Sequence, residues 1–535
     1  MGGVHLRPWA THSENERAKG IGMSAKRVIK GDEAKALIKS QLAAHGGGVL
    51  AMLARYRRDD AVAAWHETIR GVEEFINLPQ FGITDKRLRD WLYTIRLDGG
   101  FLANPGPTWL AVRNALTPHF EPAVVGRFTR IMLYASAMGN AFARHDQGGH
   151  GPVIKLDTIR GAVDYFQSRR RHIVSLLYTM PYACAGAEIL KPYDALTVLL
   201  PQIEHSCIAI TGFHHKLALL DALPDFTLEV DDIGAMASHG FDTLDDYFLE
   251  PERASIHVME ELRGDQIVRQ VMEPLNPKKI FSTAELRNSI KLIGATYEAF
   301  GLKDSDFAAM GMLVIAFARH ARDEYFVEID KTKFLAMLRA QNELDPEELE
   351  RLLVNEPSDY AANTNAYQPF LDLGDRVVSN INLLSRFLYS FKNVHLGSRR
   401  RFQIHAGFIF EDMVKRDLIR MGFQVTDIKR INRKEFDVVA TEQGVIFNIQ
   451  CKNNWIDLSK IEAEHDLFVR YNRRLITYYA KALKKELGRE QLLKDRLGLD
   501  RVVHYVVSRF PVIGADPAVI NYNQIERLRS ARVAA

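Results

Sequence analysis

Cysteine is scarce in this chain of 535 residues, which contains three: Cys184, Cys207 and Cys451. They lie far apart and form no CxxC pair. The spacing therefore indicates neither a disulfide framework nor a paired-cysteine metal site. A cytoplasmic setting is the expectation that follows.

Long apolar segments are also missing from the sequence. No run of about 18 apolar residues is free of charge and proline. The nearest candidate, Ile173 to Leu190, contains Pro181 and Glu188 and is expected to be a buried core helix. The first residues have no apolar core of a secretory signal, and no GxxxxGK[ST] motif occurs. We therefore expect no membrane segment and no intrinsic ATPase activity.

Positive charge is distributed unevenly along the chain, although the net charge is only +3. From Leu396 to the end there are 26 Lys+Arg and 17 Asp+Glu, whereas the preceding residues contain 44 and 50. A basic segment attached to an acidic one is typical of a module that binds a polyanion. Chance scatter of charge produces the same pattern, so the distribution supports this interpretation without establishing it.

The apolar pattern divides the chain into two parts. Before residue 350, long segments such as Asp60 to Phe75 and Phe128 to Phe142 have helical periodicity, and we see no sustained alternation of period two before Val425. Asn355 to Pro369 is rich in Asn, Ser, Pro and Ala and is predicted to be a linker. The predicted divisions are 1–22, disordered or a non-native start; 23–354, helical, of unknown role, as one unit or two; 355–395, linker and connecting helix; and 396–535, an α/β domain.

The pattern changes after His405. One helix is predicted at Ile404 to Met421, ended by Gly422, and a long charged helix at Leu458 to Leu487. Strands are predicted at residues 423–428, 435–441, 445–452 and 501–508, and the second and third form a hairpin around Glu442-Gln443-Gly444. The order α-β-β-β-α-β predicts helices packed on a small mixed sheet.

Alternation along the predicted hairpin separates apolar from polar side chains. One strand places Val445, Phe447, Ile449 and Cys451 on one face and Asn448, Gln450 and Lys452 on the other. In the partner strand Glu435 and Asp437 share a face, opposite Phe436 and Val438. One face is therefore predicted to gather Asp437, Gln450 and Lys452, with Glu435 and Asn448 beside them as auxiliary residues. Glu435 is expected to be a rim or salt-bridge residue rather than a primary ligand.

A carboxylate on the preceding helix completes this set. Glu411 lies three residues after Phe408 and seven before Leu418, within the stripe predicted to pack on the sheet. Burying a lone carboxylate there is costly without a partner or a cation, and a bound metal would resolve the cost. Phosphodiester hydrolysis uses such residues, because oxygen ligands hold Mg²⁺, the metal activates water, and a nearby lysine stabilises developing charge.

These residues resemble the PD-(D/E)XK nuclease superfamily: Glu411 in a helix, Asp437 at a strand, and Gln450-Cys451-Lys452 in the next strand. They are most similar to the Mrr-like branch of restriction endonucleases, in which glutamine replaces the usual glutamate. The strings GFIFEDMVKRDLIRMGFQV, KEFDVVA and IFNIQCKNN carry the resemblance, which covers roughly Arg400 to Ser530. It implies a restriction-endonuclease-like fold for the domain predicted at residues 396–535.

The resemblance also implies roles for the individual residues. Asp437 would be the principal metal ligand, with Gln450 and the Cys451 carbonyl completing the site. Lys452 would act on the water or the developing charge, and Glu411 would be an acid near the metal or a ligand of a second ion. The implied cofactor is Mg²⁺, with Mn²⁺ as a substitute. The implied activity is an endonuclease acting on nucleic acid, with DNA expected, in restriction or defence against foreign DNA.

Two other interpretations remain open. A neutral amide at Gln450 is a weaker Mg²⁺ ligand than a carboxylate, so the chain is alternatively a nucleic-acid-binding or scaffold protein with a degenerate nuclease fold. The other alternative is a helical interaction protein whose carboxy-terminal part only mediates dimerisation. A homodimer is compatible with each of these interpretations.

The predicted charged helix carries basic residues interleaved with Tyr471, Tyr478 and Tyr479. Its basic residues are Arg470, Arg473, Arg474, Lys481, Lys484 and Lys485, of which the first four are predicted to contact phosphate. A solvated helix face is the alternative for each of them. Elsewhere His205, Cys207, His214 and His215 match no zinc spacing and are expected to be core or surface side chains.

Overall fold

The computed structural model describes residues 27–81, 86–145, 156–231, 234–237, 273–299, 305–340, 345–364, 366–454 and 460–529. The predicted disordered start, residues 1–22, lies outside these ranges. Helices predominate in the amino-terminal region and a mixed sheet lies in the carboxy-terminal one, which confirms the coarse prediction from the apolar pattern.

The amino-terminal part is built mainly of helices. They are α1 (Gly31–Ala54), α2 (Arg58–Phe81), α3 (Lys86–Thr94), α4 (Gly99–Ala103), α5 (Gly106–Leu116), α6 (Pro122–His145), α7 (Ile159–Ala183) and α8 (Leu200–Ala222), the last preceded by a turn at Pro192–Asp194 and a π-helical segment at Ala195–Leu199. The rings of Phe75 of α2 and Phe128 of α6 pack against each other in their common core, with centroids 4.7 Å apart. The indole nitrogen of Trp65 donates to the Ile173 carbonyl at 2.8 Å, which ties α2 to α7.

One stretch, Pro192–Ala222, is long and apolar enough to cross a membrane by length and composition, with a mean hydropathy of 1.2. Its interior position accounts for this composition: Ile203 packs in the core of α2 and α7, and Leu219 packs against a second core. Glu204 is also buried there, where burial raises its pKa to about 7 and Tyr165 donates a hydrogen bond to it. Pro201 and Glu204 interrupt this stretch, so the sequence contains no uninterrupted apolar run here.

Two small sheets accompany the helices of the amino-terminal region, which was predicted to be mostly helical. One is antiparallel, in the order β1 (Arg27–Lys30), β2 (Thr227–Asp231) and β3 (Gly234–Ala237). The other has four strands in the order β4 (Ala321–Arg322), β5 (Phe326–Asp330), β7 (Arg376–Asn380) and β6 (Leu371–Asp372). Val327 and Ile329 of β5 are buried and alternate with exposed Glu328 and Asp330, a short period-two pattern that is present in the sequence.

The prediction of a linker at Asn355 to Pro369 is wrong. Tyr360 within this segment is 3% exposed, and its hydroxyl lies 2.7 Å from Nδ1 of His172 on α7. The amide of Asn363 is buried and donates to Thr179 Oγ1 at 3.0 Å. Asn, which is common in turns, is used here to satisfy buried polar groups of a neighbouring helix.

The predicted boundary at residue 354 is wrong for a related reason. Strands β5 and β7 pair across it, and one apolar core extends from Leu286 to Leu396. The helices of this unit are α9 (Thr283–Ala299), α10 (Ser305–Ala318), α11 (Lys331–Arg339), α12 (Pro346–Leu353) and α14 (Ile381–Gly397). Between α12 and α14, the short helix α13 (Tyr360–Asn363) packs on α7 instead. The predicted connecting helix is α14, and it belongs to this core rather than to a linker.

The carboxy-terminal part is a helix-covered sheet. Its helices are α15 (Arg400–Arg420), α16 (Lys460–Ala463), α17 (His465–Leu487) and α18 (Glu490–Leu497). Its strands are β8 (Gln424–Val425), β9 (Arg430–Ile431), β10 (Lys434–Glu435), β11 (Val438–Glu442), β12 (Val445–Lys452), β13 (Arg501–Ser508) and β14 (Val519–Asn521). Five strands form one mixed sheet in the order β14-β13-β12-β11-β8, in which β12, β13 and β14 are parallel and β8, β11 and β12 antiparallel.

Helices cover both faces of this sheet. On one face Phe410 and Val414 of α15 pack against Phe447 of β12. On the other, Leu475 of α17 and Val506 of β13 share a core with α1 and α8. The amino-terminal part therefore packs directly against α17.

Polar contacts reinforce this packing. A buried ion pair joins Arg171 of α7 to Glu462 of α16. Asp221 of α8 pairs with Lys35 at 2.5 Å and with His465, at the start of α17, at 2.8 Å. The chain that follows β12 is thus fixed to the amino-terminal helices.

Candidate active site where two strands separate

The candidate site lies where β11 and β12 diverge. Strand β11 begins at Val438, opposite Ile449, so Asp437 stands just outside the ladder. Its Oδ2 accepts a hydrogen bond of 2.9 Å from the backbone N–H of Cys451. The side chain thus satisfies a backbone donor for which β11 no longer supplies a carbonyl, and this contact orients the carboxylate at the end of the central strand.

Lys452 and Gln450 lie beside that carboxylate. The Nζ of Lys452 is 3.8 Å from Asp437 Oδ2 and donates to Gln450 Oε1 at 3.1 Å. Residues two apart in a strand share a face, which is why these two side chains meet. Gln450 is 7% exposed, so the lysine is held by an amide that is itself fixed in the fold.

Glu411 reaches the same place from α15. Burial raises its pKa to about 7, and the negative charge of Asp437 acts in the same direction, while Lys415 and Lys452 oppose the shift. Burial also raises the pKa of Asp437, against the effects of Lys452 and the Cys451 N–H. Within the described ranges no hydrogen bond or ion pair engages the Glu411 carboxylate. We call Glu411, Asp437, Gln450 and Lys452 the strand-end cluster.

The strand-end cluster fits a hard divalent cation. Burial and mutual repulsion both disfavour the ionised forms of the Glu411 and Asp437 carboxylates. A cation between the two carboxylates would offset both effects. Among the described residues no group of three or more His, Cys, Asp and Glu is placed to hold a metal. The remaining donors would be the Gln450 amide and the Cys451 carbonyl. Such an all-oxygen set suits Mg²⁺, which is bound through one or two carboxylates and keeps several waters.

The predicted separation of one apolar and one polar hairpin face is wrong. Ile446 lies on the face predicted to be polar and is buried. Asn448 on that face is also buried and donates to Glu486 of α17 at 3.0 Å, so it supports the sheet and lies outside the cluster. Phe436 and Val438, predicted to share a face, pack on opposite faces. Alternation applies only within the ladder, and the ladder begins at Val438.

One auxiliary residue of the predicted site lies where it was expected, and the buried stripe of α15 differs from the predicted one. Glu435 is exposed and forms an ion pair with Arg430 at the rim of the domain. Phe408, which was used to place Glu411 in a buried stripe, is 57% exposed. The stripe that α15 buries consists of Ala406, Phe410, Val414 and Leu418. Glu411 lies at its margin, where it is half-buried beside Phe410.

Two lysines near the cluster were not assigned to it from the sequence. The positive charge of Lys415 acts to lower the pKa of Glu411, and that of Lys485 on α17 acts to lower the pKa of Asp437. The spacing of Lys415, four residues after Glu411 on one helix, was a signal that could have identified it. The approach of Lys485 depends on how α17 packs, which the sequence does not reveal.

The basic residues predicted to contact nucleic acid lie in α17, and their side chains are exposed: Arg470, Arg473, Arg474 and Lys481. The histidines of α8 form no metal site among the described residues. Cys207 and His215 are buried, and burial lowers the pKa of His215 to about 3. The expectation of core or surface side chains is confirmed for these two.

No protein-family model, no curated protein and no solved structure matches the chain.

Gln450→Glu is the substitution that best separates a metal ligand from a structural amide. If Gln450 can touch a bound ion, a carboxylate there should lower the dissociation constant for Mg²⁺, by about tenfold for an interaction equivalent to one pKa unit. If the amide only holds Lys452, a third buried carboxylate should lower the melting temperature without changing the Mg²⁺ dependence. Asn448→Asp is the matched control, because it also replaces a buried amide with a carboxylate, at a position that α17 covers. It should lower the melting temperature without changing the dependence on Mg²⁺.

Proposed function

We propose that residues 396–535 form a restriction-endonuclease-like domain of the PD-(D/E)XK type that hydrolyses phosphodiester bonds in nucleic acid, with DNA as the expected substrate and Mg²⁺ or Mn²⁺ as the cofactor. The observation that carries the proposal is the convergence of the strand-end cluster where β11 and β12 separate. The order of elements and the mixed sheet support the fold assignment.

Each side chain of the cluster has a part in such a reaction. A bound metal would polarise a phosphoryl oxygen and lower the pKa of the attacking water. Asp437, oriented by the Cys451 N–H, and Glu411 would supply the carboxylates that hold it. Lys452 is positioned by Gln450 and offers a positive charge to the water or to the oxygens on which negative charge develops.

A cytoplasmic role in restriction or defence against foreign DNA belongs to the same proposal. The amino-terminal helices would then be a recognition or assembly part, since they pack on α17 through a shared apolar core. This contact supports an influence of these helices on the proposed nuclease domain.

Binding without cleavage is the second candidate function. It is favoured by the 3.1 Å bond between Lys452 Nζ and Gln450 Oε1, because this bond satisfies the amide oxygen without a metal. A degenerate site would keep this pair and the basic face of α17 and would lack hydrolysis.

Cleavage of a substrate panel distinguishes the two functions. The full-length protein should be incubated in Mg²⁺ with end-labelled DNA and RNA of one sequence, each single-stranded and as a duplex. We expect shortened products from at least one DNA substrate. Binding to the panel with no products in Mg²⁺ or Mn²⁺ would favour the degenerate site, and neither binding nor products would exclude both.

Reversing charge on α17 should weaken binding without altering sequence preference. Neutralising a phosphate releases counterions, so the logarithm of the binding constant falls linearly with the logarithm of the salt concentration. The slope is about 0.9 for each phosphate contacted in a duplex and about 0.7 for each phosphate contacted in a single strand. Arg473→Glu, Arg474→Glu and Lys481→Glu should each weaken binding and lower that slope by about 1 where the residue contacts phosphate. Fluorescence anisotropy over a range of NaCl measures both.

The matched control is Arg339→Glu, which makes the same charge change at an exposed position of α11 in the amino-terminal part. An unchanged slope for all three α17 variants would place the phosphate contacts elsewhere on the protein.

A further inference from the structure

The exposed side of α17 is almost uniformly positive. The helix has two acidic residues, and one of them, Glu486, is buried and bonded to Asn448 and Arg489. Its six Lys and Arg are all exposed, and none is in an ion pair with a described residue: Arg470, Arg473, Arg474, Lys481, Lys484 and Lys485. By contrast, Lys494 on the next helix pairs with Glu490.

The helix dipole explains only part of this charge. Cations are favourable in the last turn of a helix, which accounts for Lys484 and Lys485. Arg470, Arg473 and Arg474 lie in the first half of α17, where the dipole offers no such stabilisation. Their shared exposure is consistent with a polyanion lying along the helix.

An aromatic side chain interrupts the basic face. Tyr478 is 52% exposed, and it follows Arg474 by four residues and precedes Lys481 by three, so the three lie on one side of the helix. The adjacent Tyr479 is fully buried. An exposed ring between unpaired cations suits a single strand, because cations contact the phosphates while an unpaired base stacks on the ring. In a duplex the base faces are already stacked and cannot reach it.

This aromatic position lies near the strand-end cluster. The hydroxyl of Tyr479 is 3.1 Å from Ser508 Oγ, and Ser508 pairs in register with Lys452. Lys485, two turns beyond Tyr478, is close enough to Asp437 for its positive charge to act to lower the pKa of that carboxyl. The stretch of α17 from Tyr478 to Lys485 therefore borders the cluster.

We propose that α17 binds single-stranded nucleic acid, with Tyr478 stacking on an unpaired base next to the phosphate that enters the strand-end cluster. The inference rests on the proposed nuclease function and specifies its substrate form, a single strand or an unpaired segment of a longer molecule. In this arrangement the arginines and lysines hold the backbone, and Tyr478 distinguishes unpaired from paired bases.

Equilibrium binding of the full-length protein tests this proposal. The probes, in EDTA so that binding alone is measured, are a fluorescein-labelled DNA strand, its RNA counterpart, an abasic DNA strand of equal length, and the DNA duplex. The wild type should prefer the DNA or RNA single strand over the duplex. Tyr478→Ala should weaken binding to the strand with bases by roughly tenfold and leave the abasic strand and the duplex unaffected. Tyr478→Phe, which keeps the ring, should bind as the wild type does.

The control is Tyr193→Ala, which removes a more exposed tyrosine, 69% accessible, from the turn before α8. It should leave every affinity unchanged. Equal binding of the DNA strand by wild type and Tyr478→Ala, or preference of the wild type for the duplex, would overturn the proposal. A protein that binds and cuts only duplex would refute the single-strand inference and leave the nuclease function standing. A protein that binds none of the probes would remove both.

Discussion

Asp437→Ala is expected to abolish metal-dependent cleavage, with a rate at least about a thousandfold below wild type. The substitution removes the carboxylate that the Cys451 N–H orients towards Lys452. Metal catalysis supplies several kcal/mol of transition-state stabilisation, and about 4 kcal/mol corresponds to a thousandfold in rate. Single-turnover cleavage of the preferred substrate, with protein in excess, measures this loss without a contribution from product release.

Two matched variants separate chemistry from folding at this position. Asp437→Asn keeps an oxygen that can accept from the Cys451 N–H, so it should retain the melting temperature and still lose cleavage. Glu435→Ala removes an exposed carboxylate two residues away that pairs with Arg430, and it should cleave within about twofold of wild type, as expected for a surface ion pair. A wild-type rate for Asp437→Ala would end the assignment of the nuclease site to this cluster.

Lys452→Ala is expected to abolish cleavage while leaving the fold and most of the nucleic-acid binding intact. Its ammonium is held 3.1 Å from Gln450 Oε1 and 3.8 Å from Asp437 Oδ2, where it can act on the attacking water and the developing charge. Removing one preorganised group of this kind costs about 100-fold to 1000-fold in rate. The cleavage rate is measured under single-turnover conditions with Mg²⁺, and the affinity for the nucleic acid is measured in EDTA.

Lys481→Ala is the natural comparison, because it removes an exposed lysine that we assign to phosphate contact. It should weaken binding and leave the rate at saturating protein nearly unchanged, the reverse of Lys452→Ala. If Lys452→Ala lost affinity in proportion to its rate, the lysine would be a binding residue, and its role in catalysis would be wrong.

Part of the carboxy-terminal sheet could be predicted from the sequence residue by residue. The strands at Val445–Lys452 and Arg501–Ser508 agree with the predicted ranges, since each is an apolar run between turn signals. The turn between β11 and β12 was also visible, because Gln443 and Gly444 both adopt positive φ there, which favours glycine. The edge strand β14 and the pair β9–β10 have only two or three residues, too few for a periodic pattern.

The site was predictable only as far as strand alternation holds. Gln450 and Lys452 lie together as predicted because both belong to β12. The face of Phe436 was not predicted, because it depends on where the ladder begins. The burial of Asn448 was not predicted either, because it depends on α17 covering the sheet. Nor does the sequence indicate that Tyr360 and Asn363 fill a helix interface, since polar segments of this composition usually form exposed loops.

The most direct test of the strand-end cluster is the metal dependence of strand cleavage by the purified full-length protein. We predict products in Mg²⁺ and in Mn²⁺, none in EDTA, and recovery when Mg²⁺ is added beyond the chelator. An Asp437→Ala preparation purified in parallel should yield no products in any condition. Products that persist in EDTA, or that form equally with the Asp437→Ala protein, would contradict the assignment.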